Sequence, residues 1–203
     1  MTAIENKLFG KYDYNVVITD PSMKQYMSFG VFPTIHSFAR HANKAFAKSK
    51  VNIVERLANK LMRGGTGEKT GGKLIRTHGK LQGKKSRVIT IIRQAFEIVE
   101  KRTNKNPIQV LIDALQNSAP REDITRVKFG GMSYQTAVDV SASRRLDMAL
   151  RNLSLAAIIS SFDEKATLAD CLANELVLAS QGSVDSYSVK RRNEIERIAR
   201  SAR

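Results

Sequence analysis

The sequence predicts a mainly α fold, a bundle of about six or seven helices with one protruding β-hairpin and an extended N-terminal arm. Most of the chain places apolar residues three and four positions apart, the period of helices packed on a core. One short stretch, residues 124–140, instead changes to a period of two around two adjacent glycines. Residues 1–36 keep neither period for long and contain two of the chain's four prolines.

Length and charge indicate one domain with a polyanionic partner. The 203 residues, 42% of them hydrophobic, are enough to bury a core, and we expect a single domain over residues 1–203. Lys and Arg number 34 against 19 Asp and Glu, for a net charge of +15. Residues 48–105 hold 16 basic and 4 acidic side chains, and residues 186–203 hold 6 and 2. Such a localised surplus opposes compaction unless it meets a polyanion, so it predicts nucleic-acid binding.

Several protein classes are disfavoured by composition. The single cysteine, Cys171, cannot form an internal disulfide, which suits a reducing compartment. No apolar run approaches the roughly 20 residues of a membrane span, and the N-terminus lacks the apolar block of a secretory signal. We therefore expect a cytosolic or nuclear protein without a membrane partner.

The first 62 residues are expected to run from an extended arm into two helices. Within the arm, Asn15–Thr19 has a short β-like pattern. A helix is predicted over residues 37–49, with Phe38 and Phe46 on its apolar face. A cationic stripe accompanies that face: Arg40, Lys44 and Lys48. The next helix shows the full amphipathic template and should end at paired glycines; its apolar positions are Val54, Leu57, Ala58, Leu61 and Met62.

A glycine-rich basic loop, residues 63–85, separates these elements from two strongly periodic helices. The first of the two buries Val88, Ile91, Ile92, Ala95, Phe96 and Val99. Asn106 and Pro107 predict the start of the second, since asparagine caps helices and proline is favoured in the first turn. That helix buries Ile108, Leu111, Ile112 and Leu115.

Residues 124–140 predict a hairpin with a two-residue turn at Gly130 and Gly131. The turn would place Phe129 opposite Met132 and Val127 opposite Tyr134 on one face. The other face would pair Lys128 with Ser133 and Arg126 with Gln135. One face of the ribbon would be apolar and the other cationic to polar. Two arrangements remain open, a lid lying flat on the helices or an arm that projects to an anionic partner.

Three helices complete the prediction. The first follows Ser141 or Ser143 and buries Leu146, Ala149, Leu150 and Leu153. Thr167 and Asp170 resemble a capping box at the start of the second, which ends near Gly182. Its buried positions are Leu168, Cys171, Leu172, Leu176 and Ala179. The last helix has Ile195, Ile198, Ala199 and Ala202 on its apolar side.

The motifs that would indicate an enzyme or a metal site are weak. Residues Gly67–Lys73 match GxxxxGK, but Leu74 replaces the Ser or Thr that binds magnesium, and a helix precedes the loop. The three histidines have no ligand-like spacing, and Cys171 falls on an apolar helix face. An acidic cluster, Asp163, Glu164, Asp170 and Glu175, is most simply a solvated surface, with a basic protein neighbour as the alternative. We predict no catalytic residue, cofactor, metal or small-molecule substrate.

The basic residues are the candidate site. A flexible loop with cations every three or four residues, leading into a helix start, is suited to phosphate contacts. The chain has only 13 aromatic residues, without a paired stacking pattern, so shape and phosphate recognition are favoured over single-strand reading. The candidate RNA-binding residues are Arg63, Lys69, Lys73, Arg76, Lys80, Lys84, Lys85, Arg87, Arg121, Arg144, Arg145, Lys190, Arg191, Arg192 and Arg197.

Several phrases of the sequence resemble the seventh universal family of small-subunit ribosomal proteins. They include "NKLMRGG", "GKKSRVITIIRQAFEIVEKRTNKNPIQVLIDALQNSAPRED", "VDVSASRRLDMAL" and "SYSVKRRNEIERIARSAR". The opening "LFGKYDYNVVITDPSMKQYM" looks like the eukaryotic and archaeal branch. The similarity runs from about Lys7 to Arg203.

The resemblance implies a structural, non-enzymatic constituent of the cytoplasmic small ribosomal subunit. It would bind the 3′ major domain of small-subunit rRNA, nucleate head assembly and contact neighbouring head proteins. It would lie near the exit-site tRNA and the departing mRNA, with a transient nuclear or nucleolar stage if the source is eukaryotic. The hairpin residues carried over to that exit-site role are Arg126, Lys128, Phe129, Gly130, Gly131, Met132, Tyr134 and Gln135.

Two departures from the family pattern and one rival remain. Residues 63–82 are twenty where the family usually has six, and this basic insertion predicts additional rRNA contacts. The hairpin tip is less cationic than in many relatives, which weakens the case for direct tRNA contact there. A helical DNA- or chromatin-binding protein would also explain the charge, but not the hairpin.

Overall fold

Helices form wherever the three-and-four apolar period runs from residue 53 onward. The computed structural model describes residues 7–29, 35–65, 75, 80–162 and 164–203. In chain order its elements are β1 (Lys7–Leu8), β2 (Tyr12–Asp13), α1 (Pro21–Lys24), two 3-10 turns (Arg40–Asn43 and Ala47–Lys50), α2 (Ile53–Leu61), α3 (Lys85–Thr103), α4 (Pro107–Ser118), β3 (Glu122–Phe129), β4 (Met132–Asp139), α5 (Ala142–Ser161), α6 (Leu168–Ser180) and α7 (Tyr187–Ser201). The predicted mainly α architecture with a hairpin is confirmed.

Side-chain caps fix several helix starts, among them those of α2, α4 and α6. Asn52 Oδ1 accepts a hydrogen bond from the backbone N–H of Val54, and Asn106 Oδ1 accepts one from Ile108. Thr167 Oγ1 accepts from the backbone N–H of Asp170 at 3.2 Å. The predicted caps at residues 106 and 167 are therefore confirmed. α5 begins after Ser141, as expected, but the Ser141 side chain makes no capping bond.

The predicted apolar stripes converge on one core. Fully buried members include Leu57, Phe96 and Leu111, with Leu150 and Leu172 from the C-terminal half. The N-terminal segment lies against this core instead of standing away from it. Its buried side chains are Leu8, Tyr12, Met23 and Met27.

The β-like stretch Asn15–Thr19 lies in the predicted arm and joins no sheet, because a glutamine side chain takes the place of a strand partner. Gln109 of α4 accepts a hydrogen bond from the Val17 backbone N–H and donates one to the Val17 carbonyl, both at 2.9 Å. The backbone N–H and carbonyl of Val17 thereby have hydrogen-bond partners without a sheet. The small β1–β2 pair, Lys7–Leu8 with Tyr12–Asp13, was not predicted.

The predicted helix over residues 37–49 is wrong. The backbone is left-handed at Phe38, Ala39 and Phe46, with φ between 52° and 57°, which interrupts an α-helix and leaves two 3-10 turns. Phe38 is 68% exposed and Phe46 is 90% exposed. Neither ring joins the core that the apolar period had indicated.

The hairpin has the predicted register. Phe129 pairs with Met132 and Val127 with Tyr134, across a turn whose glycines have φ of 57° and 82°. Both values are positive, as a type I′ turn requires. Phe129 is 79% and Met132 is 63% exposed. The distal half therefore projects from the bundle, and the flat-lid alternative is wrong.

The root of the hairpin is held by the C-terminal helix. α7 packs along β3, and Glu196 of α7 accepts a hydrogen bond from the Arg121 backbone N–H at 3.1 Å. Arg203 pairs with Glu122 at the start of β3. On α7, Ala199 is buried as predicted. Ile198, which was also predicted to be core, is 36% exposed.

Candidate nucleic-acid interface

A cationic cleft lies where α2, α5 and the second 3-10 turn meet, and we call it the α2–α5 cleft. Its volume is about 200 Å³. The residues that line it are His41, Lys48, Val51, Arg56, Asn59, Lys60, Arg63 and Asp147. Four of these are Lys or Arg and one is acidic, so the cleft carries a positive surplus without any ligand.

The single carboxylate of this cleft is already engaged. Asp147 binds Lys48 Nζ at 2.5 Å and the Arg56 guanidinium at 3.1 Å. Burial raises the pKa of Asp147, but the hydrogen bonds from Lys48 and Arg56 outweigh it and leave the pKa below its ordinary value. Asp147 is therefore ionised at neutral pH and offsets part of the positive charge.

The remaining lysine of the cleft is in an unfavourable environment for a cation. Burial lowers the pKa of Lys60, and the charges of Lys48, Arg63 and Arg151 lower it further against the opposing effect of Asp147. Like charges on a half-buried site repel one another. A bound anion stabilises them when its attraction to the cations exceeds the cost of removing their water. A phosphate group has the charge and the acceptor oxygens that this cleft lacks.

A second group of cations surrounds the start of α3, close to the same cleft. Lys80, Lys84 and Arg87 are exposed and form no ion pair with any other described residue. The first turn of α3 contains no acidic residue, and no side chain caps it. No side chain in this first turn competes for the backbone N–H groups, so the start of α3 can bind an anion.

The two groups are joined through the chain around residue 64. Arg63 lines the α2–α5 cleft, and Gly64 accepts a hydrogen bond from Gln82 Nε2 at 3.3 Å. Gln82 precedes Lys84 by two residues. This hydrogen bond connects the chain beside Arg63 to the chain that leads into Lys84 and Arg87.

Two predicted RNA-binding cations have internal partners instead. Lys85 Nζ lies 2.5 Å from Glu55 Oε1, with side-chain exposures of 14% and 4%. The Arg145 guanidinium, 11% exposed, donates to Asp20 Oδ2 at 3.0 Å and to Ser22 Oγ at 2.9 Å. Both cations are paired with buried or half-buried carboxylates of the protein itself, so we leave Lys85 and Arg145 out of the interface.

The C-terminal cations lie on another surface, beside the hairpin root. A cleft of about 430 Å³ there is lined by Gln116, Asn117, Ala119, Arg121, Glu122, Arg192, Glu196 and Arg200. Arg192 donates to the Asn117 carbonyl oxygen at 2.5 Å, which fixes its guanidinium on α4. Its three arginines and two glutamates balance more closely than the charges of the α2–α5 cleft.

The other predicted residues fall around these surfaces. Lys190 and Arg197 are exposed on α7, where Arg191 pairs with Glu194 at 2.5 Å. Arg144 is exposed at the hairpin root and pairs with Asp123 at 3.3 Å. Arg126, Lys128 and Gln135 are exposed along the hairpin. Lys69, Lys73 and Arg76, together with the GxxxxGK match, lie outside the described residues.

Comparison with known proteins decides the family. Residues 31–203 match the family of ribosomal protein S7p/S5e. This chain belongs to that family.

Relatives match over nearly the whole chain. Small ribosomal subunit protein uS7 of Methanococcus maripaludis strain S2 is 46% identical over 98% of this chain and 100% of its own length. The uS7 protein of Archaeoglobus fulgidus is 44% identical over 100% of this chain and 97% of its own. That of Methanococcus vannielii is 46% identical, over 98% and 97% respectively. These relatives are archaeal, and they give no support to the nuclear or nucleolar stage.

Membership of this ribosomal protein family makes the chain a structural protein and not an enzyme, and it confirms the family resemblance. Among the described residues, no group of three His, Cys, Asp or Glu side chains is placed to hold a metal ion. No helix in the described ranges is long and apolar enough to cross a membrane. Cys171 is buried, and burial raises the pKa of its thiol, in keeping with a packing role.

Sequence reasoning missed the members of the α2–α5 cleft other than Arg63. Lys60 of the cleft, and Arg151, whose charge lowers the pKa of Lys60, sit at polar positions of amphipathic helices, where a cation is ordinary. Nothing in the sequence shows that α2 and α5 bring them close to Lys48. The available signal was the absence of acidic residues over positions 35–50.

Proposed function

We propose that this ribosomal protein is a constituent of the cytoplasmic small ribosomal subunit that binds the 3′ major, or head, domain of small-subunit rRNA. Binding there would nucleate assembly of the head, alongside neighbouring head proteins. The hairpin, from Arg126 to Gln135, would reach toward the exit-site tRNA and the departing mRNA. The relatives' shared name, small ribosomal subunit protein uS7, supports this assignment.

The observation that carries the proposal is the pair of cationic groups at the α2–α5 cleft and at the start of α3, whose flanking chain is joined by the Gly64–Gln82 hydrogen bond. Both groups present exposed cations, Arg63 in the cleft and Lys84 and Arg87 at the start of α3, and no side chain caps that helix. Phosphates spaced along a folded RNA can occupy such a surface simultaneously. The cleft beside the hairpin root, with Arg121, Arg192 and Arg200, would provide a second and weaker point of contact.

The mechanism is electrostatic. Cations on the rigid bundle neutralise phosphates and release condensed counterions, so binding weakens as salt rises. If about 8 phosphates are contacted, log K should fall with log salt concentration at a slope near −7, at about −0.9 for each phosphate. The helices contribute by holding the cations in a fixed arrangement, which lowers the entropic cost of binding.

The test is equilibrium binding of the full chain to head-domain rRNA between about 50 and 200 mM salt. Duplex DNA of equal length serves as the competitor. Preferential rRNA binding with a steep slope supports the proposal. A slope near zero would reject the mechanism, and a preference for duplex DNA would favour the DNA- or chromatin-binding alternative.

A further inference from the structure

The segment Ile35–Lys50 holds two phenylalanine rings out in solvent. Phe46 is 90% exposed and Phe38 is 68% exposed, although both would be expected in a core. No ring of another described residue stacks on Phe46. Phe38 stacks on His36, with ring centroids 4.3 Å apart and an angle of 28° between the planes.

The exposure of these rings is built into the backbone. Phe38 has φ of 52° and Phe46 has φ of 57°, a left-handed conformation that bulky residues rarely adopt. The backbone at and just before Phe38 is held by hydrogen bonds. The Phe38 backbone N–H donates to His36 Nδ1 at 2.8 Å, and Ser37 donates to the buried Glu55 from its N–H at 2.9 Å and its hydroxyl at 2.8 Å.

The surroundings of the rings are cationic. Residues 35–50 contain four Lys or Arg and no Asp or Glu. The Arg40 guanidinium carbon lies 5.9 Å from the centre of the Phe38 ring. Arg40, Lys44 and Lys50 are exposed and form no ion pair with another described residue. An apolar pocket of a protein partner would have to desolvate these cations to reach the rings, which is costly.

Rings and cations together fit one class of ligand. Unpaired nucleotides present a flat base for stacking and a phosphate for ion pairing, and base–aromatic stacking tolerates any base. We propose that residues 35–50 form a stacking clamp for unpaired nucleotides of rRNA. Phe46 takes one base, and a second base extends the His36–Phe38 stack. Arg40, Lys44 and Lys50 bind the adjoining phosphates. This inference rests on the proposed rRNA-binding function.

The position of the clamp supports its role. His41 and Lys48, from the same segment, line the α2–α5 cleft. A strand that follows the phosphate surface would therefore pass directly beside the exposed rings. Stacking at this point would add an affinity that salt does not screen, in contrast to the phosphate contacts.

The chain contains no tryptophan, so one can be introduced as a reporter. In the full-length Phe46→Trp variant, head-domain rRNA should quench the indole fluorescence through stacking. Phe129→Trp, at the 79% exposed hairpin tip, is the matched control and should keep its fluorescence. Quenching of both variants to the same extent would show non-specific proximity and overturn the proposal.

Binding of unlabelled variants gives the second measurement. Phe46→Ala should weaken rRNA binding about 10-fold without changing the salt slope. Phe46→Tyr should retain affinity, while Phe46→Leu, apolar but unable to stack, should not. Retained rRNA affinity in Phe46→Leu together with loss in Phe46→Tyr would show an apolar contact without stacking and would overturn the stacking clamp.

The rRNA-binding function and the stacking clamp can be tested separately. If the wild-type chain does not bind rRNA, the proposed function fails. If wild type binds with a steep salt slope while Phe46→Ala binds equally well and the indole is unquenched, the clamp alone fails. Thermal unfolding of each Phe46 variant, expected to match wild type because the ring is 90% exposed, checks that lost affinity is not lost folding.

Discussion

Lys85 Nζ lies 2.5 Å from Glu55 Oε1, a buried ion pair that joins the first turn of α3 to the first turn of α2. The same carboxylate accepts two hydrogen bonds from Ser37, which ties the 35–50 segment to the bundle. A neighbouring cation, Lys84, is exposed at the N-cap of α3. Adjacent lysines therefore have different tasks, one inside the fold and one on the surface.

Neutralising these two lysines should separate stability from RNA binding. Lys85→Gln leaves Glu55 buried without its cation, so the free energy of unfolding should fall by about 3 kcal/mol. Lys84→Gln removes only a surface charge and should change it by less than about 0.5 kcal/mol. Urea unfolding measures both variants.

Binding to head-domain rRNA should show the reverse order for the folded proteins. Lys84→Gln removes one phosphate contact, so the salt slope should become shallower by about 1. Lys85→Gln, measured where it remains folded, should keep the wild-type slope. Equal unfolding free energies for the two variants would contradict the assignment.

Arg144 and Arg145 form a second pair of neighbours with different environments. Arg145 is buried against Asp20 and Ser22, whereas the ion pair of Arg144 with Asp123 is 66% exposed on the arginine side. Arg145→Gln should destabilise the protein by about 3 kcal/mol, because Asp20 loses its partner. Arg144→Gln should cost at most about 1 kcal/mol, as exposed pairs do. Thermal and urea unfolding test this, and a larger loss for Arg144→Gln would refute it.

Local rules predicted the helices and the hairpin well. The register of β3 and β4 follows from a two-residue glycine turn and a period of two, both of which are readable within residues 124–140. The start of α4 follows from Asn106 and Pro107 for the same reason. Such features depend on neighbours in the chain.

The failures have a common origin in distant contacts. Gln109 satisfies the backbone of Val17 from 92 residues away, and Glu55 fixes Ser37 from 18 residues away. Neither partner can be inferred from local pattern. The prediction of the candidate site failed in part for the same reason. A lysine has the same local sequence pattern whether it faces solvent, as Lys84 does, or a buried carboxylate, as Lys85 does.

Acid should destabilise the protein through its buried carboxylates. Burial raises the pKa of Glu55, but hydrogen bonds from Lys85 and Ser37 outweigh it, and the pKa lies below the ordinary value of 4.5. The pKa of Asp147 is lowered in the same balance, below 3.8. A folded-state pKa below the unfolded one contributes stability that is complete above the unfolded pKa and is lost as pH falls through the folded pKa.

The free energy of unfolding should therefore be level near neutral pH and decline below about pH 4.5. Urea titrations at successive pH values measure the decline. The Glu55→Gln variant should have a lower free energy of unfolding at pH 7. Its further decrease on acidification should be smaller than that of wild type. An identical decline in Glu55→Gln would show that this carboxylate is not a source of acid sensitivity.

The distal hairpin should be dispensable for folding and for rRNA binding. Replacing residues 128–133 by Asn-Gly retains a two-residue turn and keeps Val127 opposite Tyr134 on the same face. The removed side chains of Phe129 and Met132 are largely exposed, so the melting temperature should change little. Affinity for head-domain rRNA should stay within about twofold, since the phosphate surface is elsewhere.

The hairpin root should behave differently, because it is packed on α7. Glu196→Ala removes the acceptor of the Arg121 N–H at an exposed position and should cost about 0.5–1.5 kcal/mol. The shortened hairpin, once incorporated into small subunits, should instead impair retention of exit-site tRNA, which filter binding of deacylated tRNA measures. Unfolding of the shortened variant would show that the distal strands support the bundle, and normal tRNA retention would remove the arm from the exit site.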